Sequence, residues 1–351
     1  MEGKYSASAW VLILCIATVP VHCKYHSDGE QTAPVKEKKT HLRFFLHDTI
    51  SGKKPSSVMV AHANLTQGDN NPTPFGSVFV FDDPLTEGPE PTSRVIGNAR
   101  GIYVSSSQGK DLSLVVYADY GFTTGKFNGS SISLFSRLPL VEAEPTHEVA
   151  VVGGRKKFRM ARGFAKLKPH YFNATNVFMV VQGITEGPNA AEAWFKKLPH
   201  AKEKVTKLHF YFHDIASGKN PTAVQVAQPN ATNKSPAFFG IIMMVDDPLT
   251  VRPEPTSNIM GRAQGFYGFA GMEEIELIMT MNIVFTEGEY NGSSLSILGR
   301  NPVFHRYREM PVVGGSGFFR LARGIATAKT YWVNFTSGDA TVEYNIIVAH
   351  Y

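Results

Sequence analysis

The ten residues NGSSISLFSR (Asn128–Arg137) and their later echo NGSSLSILGR (Asn291–Arg300) decide the fold. Each opens on Asn-Gly, a strong turn signal. In Ser130-Ser131-Ile132-Ser133-Leu134 and Ser294-Leu295-Ser296-Ile297, polar and apolar residues then alternate. A period of two belongs to a strand with one face buried. Working outward, Leu42–Leu46, Val58–Ala61, Phe75–Phe81, Leu112–Ala118 and Glu274–Val284 also read as strands. Ser-Gly-Lys, Asp-Asp-Pro and Gly-Gly signals separate them, and no segment carries a long helical stripe. Six to eight short strands in each half imply an all-β antiparallel sandwich or barrel.

The echo is part of a longer repeat. LRFFLHDTISGKKPSSVMVA (Leu42–Ala61) matches LHFYFHDIASGKNPTAVQVA (Leu208–Ala227), and DDPLT occurs at Asp82–Thr86 and Asp246–Thr250. GNARGIY (Gly97–Tyr103) matches GRAQGFY (Gly261–Tyr267), and VVGGRKKFRMARGFA (Val151–Ala165) matches VVGGSGFFRLARGIA (Val312–Ala326). A solenoid unit has a period of roughly 20–50 residues, far shorter than this one. The sequence therefore reads as one whole domain written twice, over 40–183 and 205–351, joined by a charged, Pro-containing linker over 184–204.

Among the 351 residues, 43% are hydrophobic and 11% aromatic, enough for two real cores. Residues 1–23 read as a secretory signal: Lys4, then a short apolar run from Trp10 to Val19, then small residues. The run is too short to span a membrane, so the expectation is a secreted, soluble protein. Both cysteines, Cys15 and Cys23, fall in this leader, which leaves no thiol for catalysis or zinc binding. Seven sequons, at Asn64, Asn128, Asn173, Asn230, Asn233, Asn291 and Asn334, are candidate glycosylation sites. A net charge of +5 favours an acidic polysaccharide over nucleic acid as a polyanionic neighbour for a secreted chain.

At Phe212-His213-Asp214, Phe239-Gly240, Asp246–Thr250, Gly261–Tyr267 and Asn291 to Gly324, the sequence resembles the plant dirigent protein family. The resemblance covers nearly all of the second half and most of the first. It implies two tandem eight-stranded antiparallel β-barrels, secreted and glycosylated, with trimer-type assembly. The first barrel is shortened at its last strand pair, since Asn173 leads almost directly to Val177–Gln182. The function it implies is stereoselective orientation of phenoxy radicals, of the monolignol type, made by a separate laccase or peroxidase. Alternatives are a dehydratase or cyclase working through a quinone methide, and a protein that organises lignin in the cell wall. No cofactor, metal or membrane partner is expected.

His47-Asp48 and His213-Asp214 end apolar strands, and alternation sends one residue of each pair inward. The resemblance makes Asp214, and Asp48 in the first half, the pocket acids. A carboxylic acid in an apolar barrel holds its proton and can donate it. Tyr267 and Tyr103 supply a ring and a hydroxyl, Arg308 a guanidinium and Thr330 a hydroxyl, all at family pocket positions. The first half has His147 and Pro169 in place of the last two. Asn301 and Leu138 stand where lignan-forming relatives carry a second pocket aspartate, so that acid is expected to be absent from both halves. Asp-Asp-Pro reads as a strand end whose carboxylates shape a loop at the barrel rim. The second half is the expected working pocket.

Overall fold

A computed structural model describes residues 40–62, 74–108, 112–139, 147–172, 176–182, 198, 201–228 and 236–351. The expected leader over 1–23, most of the linker over 184–204, and the sequons at Asn64, Asn173, Asn230 and Asn233 lie outside these residues. No helix among the described residues is long and apolar enough to cross a membrane.

Strand alternation builds two barrels. The first contains β1 (Arg43–Thr49), β2 (Ser57–Ala61), β3 (Val78–Thr86), β4 (Val95–Ser105), β5 (Ser113–Phe122), β6 (Ser131–Pro139), β7 (His147–Arg155), β8 (Gly163–Phe172) and β9 (Asn176–Gln182). The second repeats this with β10 (Lys204–Asp214), β11 (Ala223–Ala227), β12 (Ile242–Thr250), β13 (Ile259–Phe269), β14 (Glu276–Phe285), β15 (Ser294–Pro302), β16 (Arg308–Ser316), β17 (Arg323–Val333) and β18 (Ala340–His350). Neighbours pair antiparallel in the order β1-β9-β8-β7-β6-β5-β4-β3-β2, and β1 also pairs with β3, which closes a ring of eight. In barrel 2, β10 pairs with β12 in the same way. The expected eight-stranded barrel is present twice, with β2 and β11 as short extra strands. In the first barrel β9 has 7 residues against 11 in β18, the shortening read from the sequence.

Inward positions fill each lumen with apolar side chains. Barrel 2 buries Phe210, Phe212, Met279, Met281, Phe285, Ile297, Phe319 and Ile346 among others. Each such burial contributes ~1.5–3 kcal/mol. The glycine of Gly-X-Tyr is required by close packing between strands. A Cβ on Gly101 would overlap the Tyr117 carbonyl oxygen, and one on Gly265 the Thr280 carbonyl oxygen.

The two barrels meet through outer faces. Phe75, Val104, Val115 and Phe135 of barrel 1 form one buried cluster with Val224, Val226 and Met244 of barrel 2. Arg137 Nε donates to Gln264 Oε1 (2.8 Å), Ser296 Oγ to the Phe135 carbonyl (3.0 Å), and Arg320 grips Glu148 through Nε and Nη2. The Arg320 guanidinium also lies 4.6 Å from the Phe164 ring centroid.

Candidate active site in the barrel lumen

Asp-Asp-Pro does not end its strand. Pro84 and Pro248 sit inside β3 and β12, paired with Asn98 and Arg262. The other side explains why proline is tolerated there. Phe81 pairs with Ser57 of β2, while Leu85 already pairs with Leu46 of β1, so Pro84 falls where one neighbour hands over to the next. Its missing N–H leaves no ladder bond broken. With the strand continuous, alternation splits each carboxylate pair. Asp82 and Asp246 point outward, whereas Asp83 (2% exposed) and Asp247 (0%) point into the lumen. This corrects the rim-loop reading. It also places a second acid in each lumen on β3 and β12, a different position from Asn301 and Leu138, which carry no acid.

The first expected acid is also inward. Phe210, Phe212 and Asp214 share one face of β10, as Phe44, Leu46 and Asp48 share one face of β1. The histidines take the opposite face. His213 Nε2 lies 2.7 Å from Thr250 Oγ1, and that hydroxyl gives its single hydrogen to the Arg252 carbonyl (2.6 Å). His213 Nε2 must therefore be the donor, leaving Nδ1 to accept from Thr341 Oγ1 at 3.3 Å. Burial lowers the imidazole's pKa, which keeps it neutral. His47 makes the same 2.7 Å contact with Thr86, whose hydroxyl binds the Gly88 carbonyl. These histidines lock β1 to β3 and β10 to β12, and thereby fix the neighbouring aspartates.

In barrel 2, the Tyr267 hydroxyl lies against the Asp214 carboxyl, and Thr222 Oγ1 donates to Asp247 Oδ1. Asp214 Oδ1 and Asp247 Oδ2 are buried without a hydrogen-bond partner. Burial pushes Asp214 up to about 7, a rise opposed by the Tyr267 hydrogen bond and helped by Asp339. Asp247 is raised well above the carboxylate range by burial and by the charge of Asp214. Two carboxyls this close and this dry cannot both ionise, so at neutral pH the pair keeps a proton. Tyr267 is raised by burial and by both aspartates, so it remains a neutral phenol.

The remaining expected residues reach the same mouth by topology. In an antiparallel ring, the C-terminal ends of β10, β13, β15 and β17 lie beside the N-terminal ends of β14, β16 and β18. Asp214, Tyr267, Asn301, Thr330 and Arg308 all occupy that end. Arg308 is 3% exposed, its Nη1 donates to the Val303 carbonyl (3.0 Å), and Nη2 has no partner. Asn301 is buried with Oδ1 unpartnered. Thr330 continues the inward line of Ala326 and Ala328 and is half-buried. Tyr344, absent from the sequence expectation, is buried against Phe210 (5.7 Å, stacked) and feels the charges of Arg308, Asp214 and Asp247. It stands between the acids and the guanidinium. Two exposed aromatics rim this mouth, Phe304 and Phe335, 6.4 Å apart, while Tyr307 lies over the outward residues Thr327, Lys329, Glu343 and Asn345 of β17 and β18.

Barrel 1 keeps the acids and loses the cation. Asp83 is pushed to about 8 by burial and by Asp48, and Tyr103 stacks on Phe79 at 4.9 Å. His147 replaces Arg308 and Leu138 replaces Asn301, both buried. Phe44 pairs with Val181 where Phe210 pairs with Tyr344. Tyr120 adds a buried phenol that the sequence reading did not single out. Among the described residues, no group of three or more His, Cys, Asp or Glu could hold a metal ion. Of the described sequons, Asn128 and Asn291 are exposed, and Asn334 is half-buried with its Oδ1 accepting from Thr336 N.

A family model described as Dirigent-like protein matches this chain twice, over residues 39–184 and 205–349. Dirigent protein 23 of Arabidopsis thaliana is 47% identical over 175 residues, 50% of this chain and 93% of its own length. Pterocarpan synthase 1 of Glycyrrhiza echinata is 53% identical over 151 residues, 43% of this chain and 80% of its own. A solved structure of a pterocarpan synthase dirigent protein, 53% identical, covers 43% of this chain and 87% of its own with a TM-score of 0.41.

Proposed function

Because this chain belongs to the dirigent family, with one dirigent domain in each half, we propose that barrel 2 binds a phenol carrying a benzylic hydroxyl and converts it through a quinone methide. The observation that carries this reading is the proton-holding Asp214–Asp247 pair set across Tyr344 from the unpartnered Nη2 of Arg308. The carboxyl pair protonates the benzylic hydroxyl, the C–O bond breaks and water leaves. The phenol gives its own proton to solvent, and Arg308 stabilises the developing phenolate oxygen. A second hydroxyl of the substrate then attacks the benzylic carbon. It returns a proton to the carboxylate, and the phenolate is reprotonated from solvent. The balance is loss of one water, with no redox partner. Packing against Tyr267 and Tyr344 holds one face of the planar intermediate, so attack comes from the other face and one stereoisomer forms. Two relatives named pterocarpan synthase support this class of chemistry.

A second reading uses the same lumen to orient phenoxy radicals from a laccase or peroxidase. The aromatic rim of Phe304 and Phe335 favours it, because it gives a second ring a surface to stack on. Under either reading the protein works outside the cell in the apoplast, glycosylated at the exposed Asn128 and Asn291. The deciding experiment incubates the purified chain with a benzylic-alcohol phenol without oxidant, and separately with coniferyl alcohol and laccase, and follows both by chiral chromatography. The proposal expects oxidant-free turnover that Asp247→Asn reduces at least a hundredfold. Turnover confined to the laccase reaction, as an enantiomeric excess, selects the second reading.

A further inference from the structure

The two barrels differ sharply in charge at the end opposite the mouth. In barrel 1 the β5–β6 tip (residues 123–130) lies beside the β7–β8 tip (155–163). The Lys156 ammonium sits so close to Gly129 that a Cβ there would overlap it, and the Lys157 N–H faces Ser130 Oγ at 3.5 Å. These two tips carry six cations, Lys126, Arg155, Lys156, Lys157, Arg159 and Arg162, and no acid. All six are exposed. The matching stretches of barrel 2, 286–293 and 316–324, carry Glu287, Glu289, Arg320 and Arg323, so their charges cancel. Both of those arginines are also engaged, Arg320 with Glu148 and Arg323 with Glu203. In barrel 1 only Arg155 of the six has an acidic partner among the described residues, Asp119 at 3.0 Å.

These two tips thus hold more positive charge than the net +5 of the whole chain. The adjoining β3–β4 loop does not neutralise them, because Glu87 pairs with Arg94 and leaves Glu90 as that loop's single unbalanced acid. The backbone makes the same point. Lys156 has φ +53°, in the left-handed region, where the matching residue of barrel 2 is Gly317 at +61°. Glycine adopts that conformation freely and lysine does not. Barrel 1 therefore keeps a cation at a site shaped for glycine, and an outlier of this kind points to a role for the side chain.

We propose that this end of barrel 1 binds an acidic polysaccharide whose charges are uronate carboxylates. A cluster of unpaired cations raises a local potential that concentrates polyanions. Lysine and arginine then donate charge-assisted hydrogen bonds to the carboxylates. Other polyanionic partners fit less well. Single-stranded nucleic acid needs exposed rings on which its bases stack, but Phe158 is buried and the half-buried Phe127 packs on it at 4.8 Å. A membrane surface needs an apolar face to insert, and Met160 (78% exposed) is the one exposed large apolar side chain on these tips. The choice of polysaccharide over duplex nucleic acid rests on the extracellular placement proposed above. Asp48 and Tyr103 lie toward the opposite end of the barrel, so a bound polymer leaves the barrel 1 mouth open. Binding of this kind gives barrel 1 a task that does not need the guanidinium missing from its lumen.

The test measures binding of the full glycosylated chain to immobilised polygalacturonate by biolayer interferometry at about 0.15 M salt. The proposal expects micromolar binding that weakens at least tenfold when salt is raised to about 0.5 M. Fully methyl-esterified polygalacturonate, which has lost its charge, should not bind. Lys126→Glu combined with Lys156→Gly should weaken binding at least tenfold. Barrel 2 carries those residues at the matching positions, so the fold accepts them, and an unchanged circular dichroism spectrum checks this. Lys219→Glu, at an exposed cation of barrel 2, changes the net charge as Lys126→Glu does and should leave binding intact. No binding at about 0.15 M salt overturns the proposal. So does binding that the double variant leaves unchanged, or that Lys219→Glu weakens equally. Equal or tighter binding to anionic lipid vesicles or duplex DNA overturns it in favour of those partners. The sequon at Asn128 borders the site, so binding seen only in Asn128→Gln overturns it for the glycosylated protein. None of these readouts involves turnover, so this proposal fails or holds separately from the proposed reaction.

Discussion

Replacing Asp83 by Asn should remove a large part of the pH dependence of barrel 1's stability. The carboxyl is 2% exposed and is held by burial and by Asp48 at about 8, against an ordinary value of 3.8. Between those values the folded barrel keeps a proton that the unfolded chain has released. The contribution of this group to stability is therefore full below about pH 4 and drains away as pH rises toward 8. Each pH unit in that window is worth about 1.4 kcal/mol, so raising pH from 5 to 8 costs the wild type about 4 kcal/mol. For a domain of this size that corresponds to about 10 °C in Tm. Asn keeps the shape and an acceptor oxygen but cannot ionise. Thermal unfolding by circular dichroism at pH 5, 6, 7 and 8 reads the effect directly. The wild-type barrel 1 transition should fall across the series more steeply than that of Asp83→Asn, in which only Asp48 remains raised by burial, with the variant the more stable at pH 8. Parallel slopes for the two proteins would refute the placement of an acid in a dry lumen.

Other outcomes follow from single contacts. Arg308→Met should leave stability level or raise it by about 1–3 kcal/mol in urea unfolding, because a buried charge without a carboxylate partner is removed, while turnover drops at least tenfold. Gly265→Ala should destabilise barrel 2 by more than about 4 kcal/mol, whereas Gly288→Ala, with open space around its Cβ, should cost about 1 kcal/mol; differential scanning calorimetry separates them. Glu148→Gln strands the Arg320 charge in the seam, at about 2–4 kcal/mol, and should lower the calorimetric transitions of both barrels.

Period-two alternation around Ile132, Leu134, Leu295 and Ile297 was enough to predict strands, and the internal repeat was enough to predict one domain written twice; that each copy is an eight-stranded barrel came from the family resemblance. Closure was not legible, because it rests on two-residue pairings such as Phe45 with Thr86 that carry no local signal. Asp214, Tyr267 and Arg308 were found by motif, and the lumen holds them. Asp83 and Asp247 were missed because proline was read as a strand terminator. The alternation rule, carried through Phe79, Phe81, Asp83 and Leu85, would have placed the second aspartate inside. Tyr344 lies outside the motifs, although Tyr344, Ile346 and Val348 alternate inward on the last strand. The seam was invisible for a different reason. Val58 and Val224 look alike in sequence, and only packing shows that one is covered and the other open.

At neutral pH each lumen should hold a carboxylic acid, not two carboxylates. Infrared difference spectroscopy at pH 7, comparing the wild type with Asp247→Asn and with Asp83→Asn, tests it most directly. A protonated-carboxyl carbonyl band is expected in the wild type, diminished in each variant and weakest when both substitutions are combined. A wild-type spectrum carrying only carboxylate bands at pH 7 would contradict it.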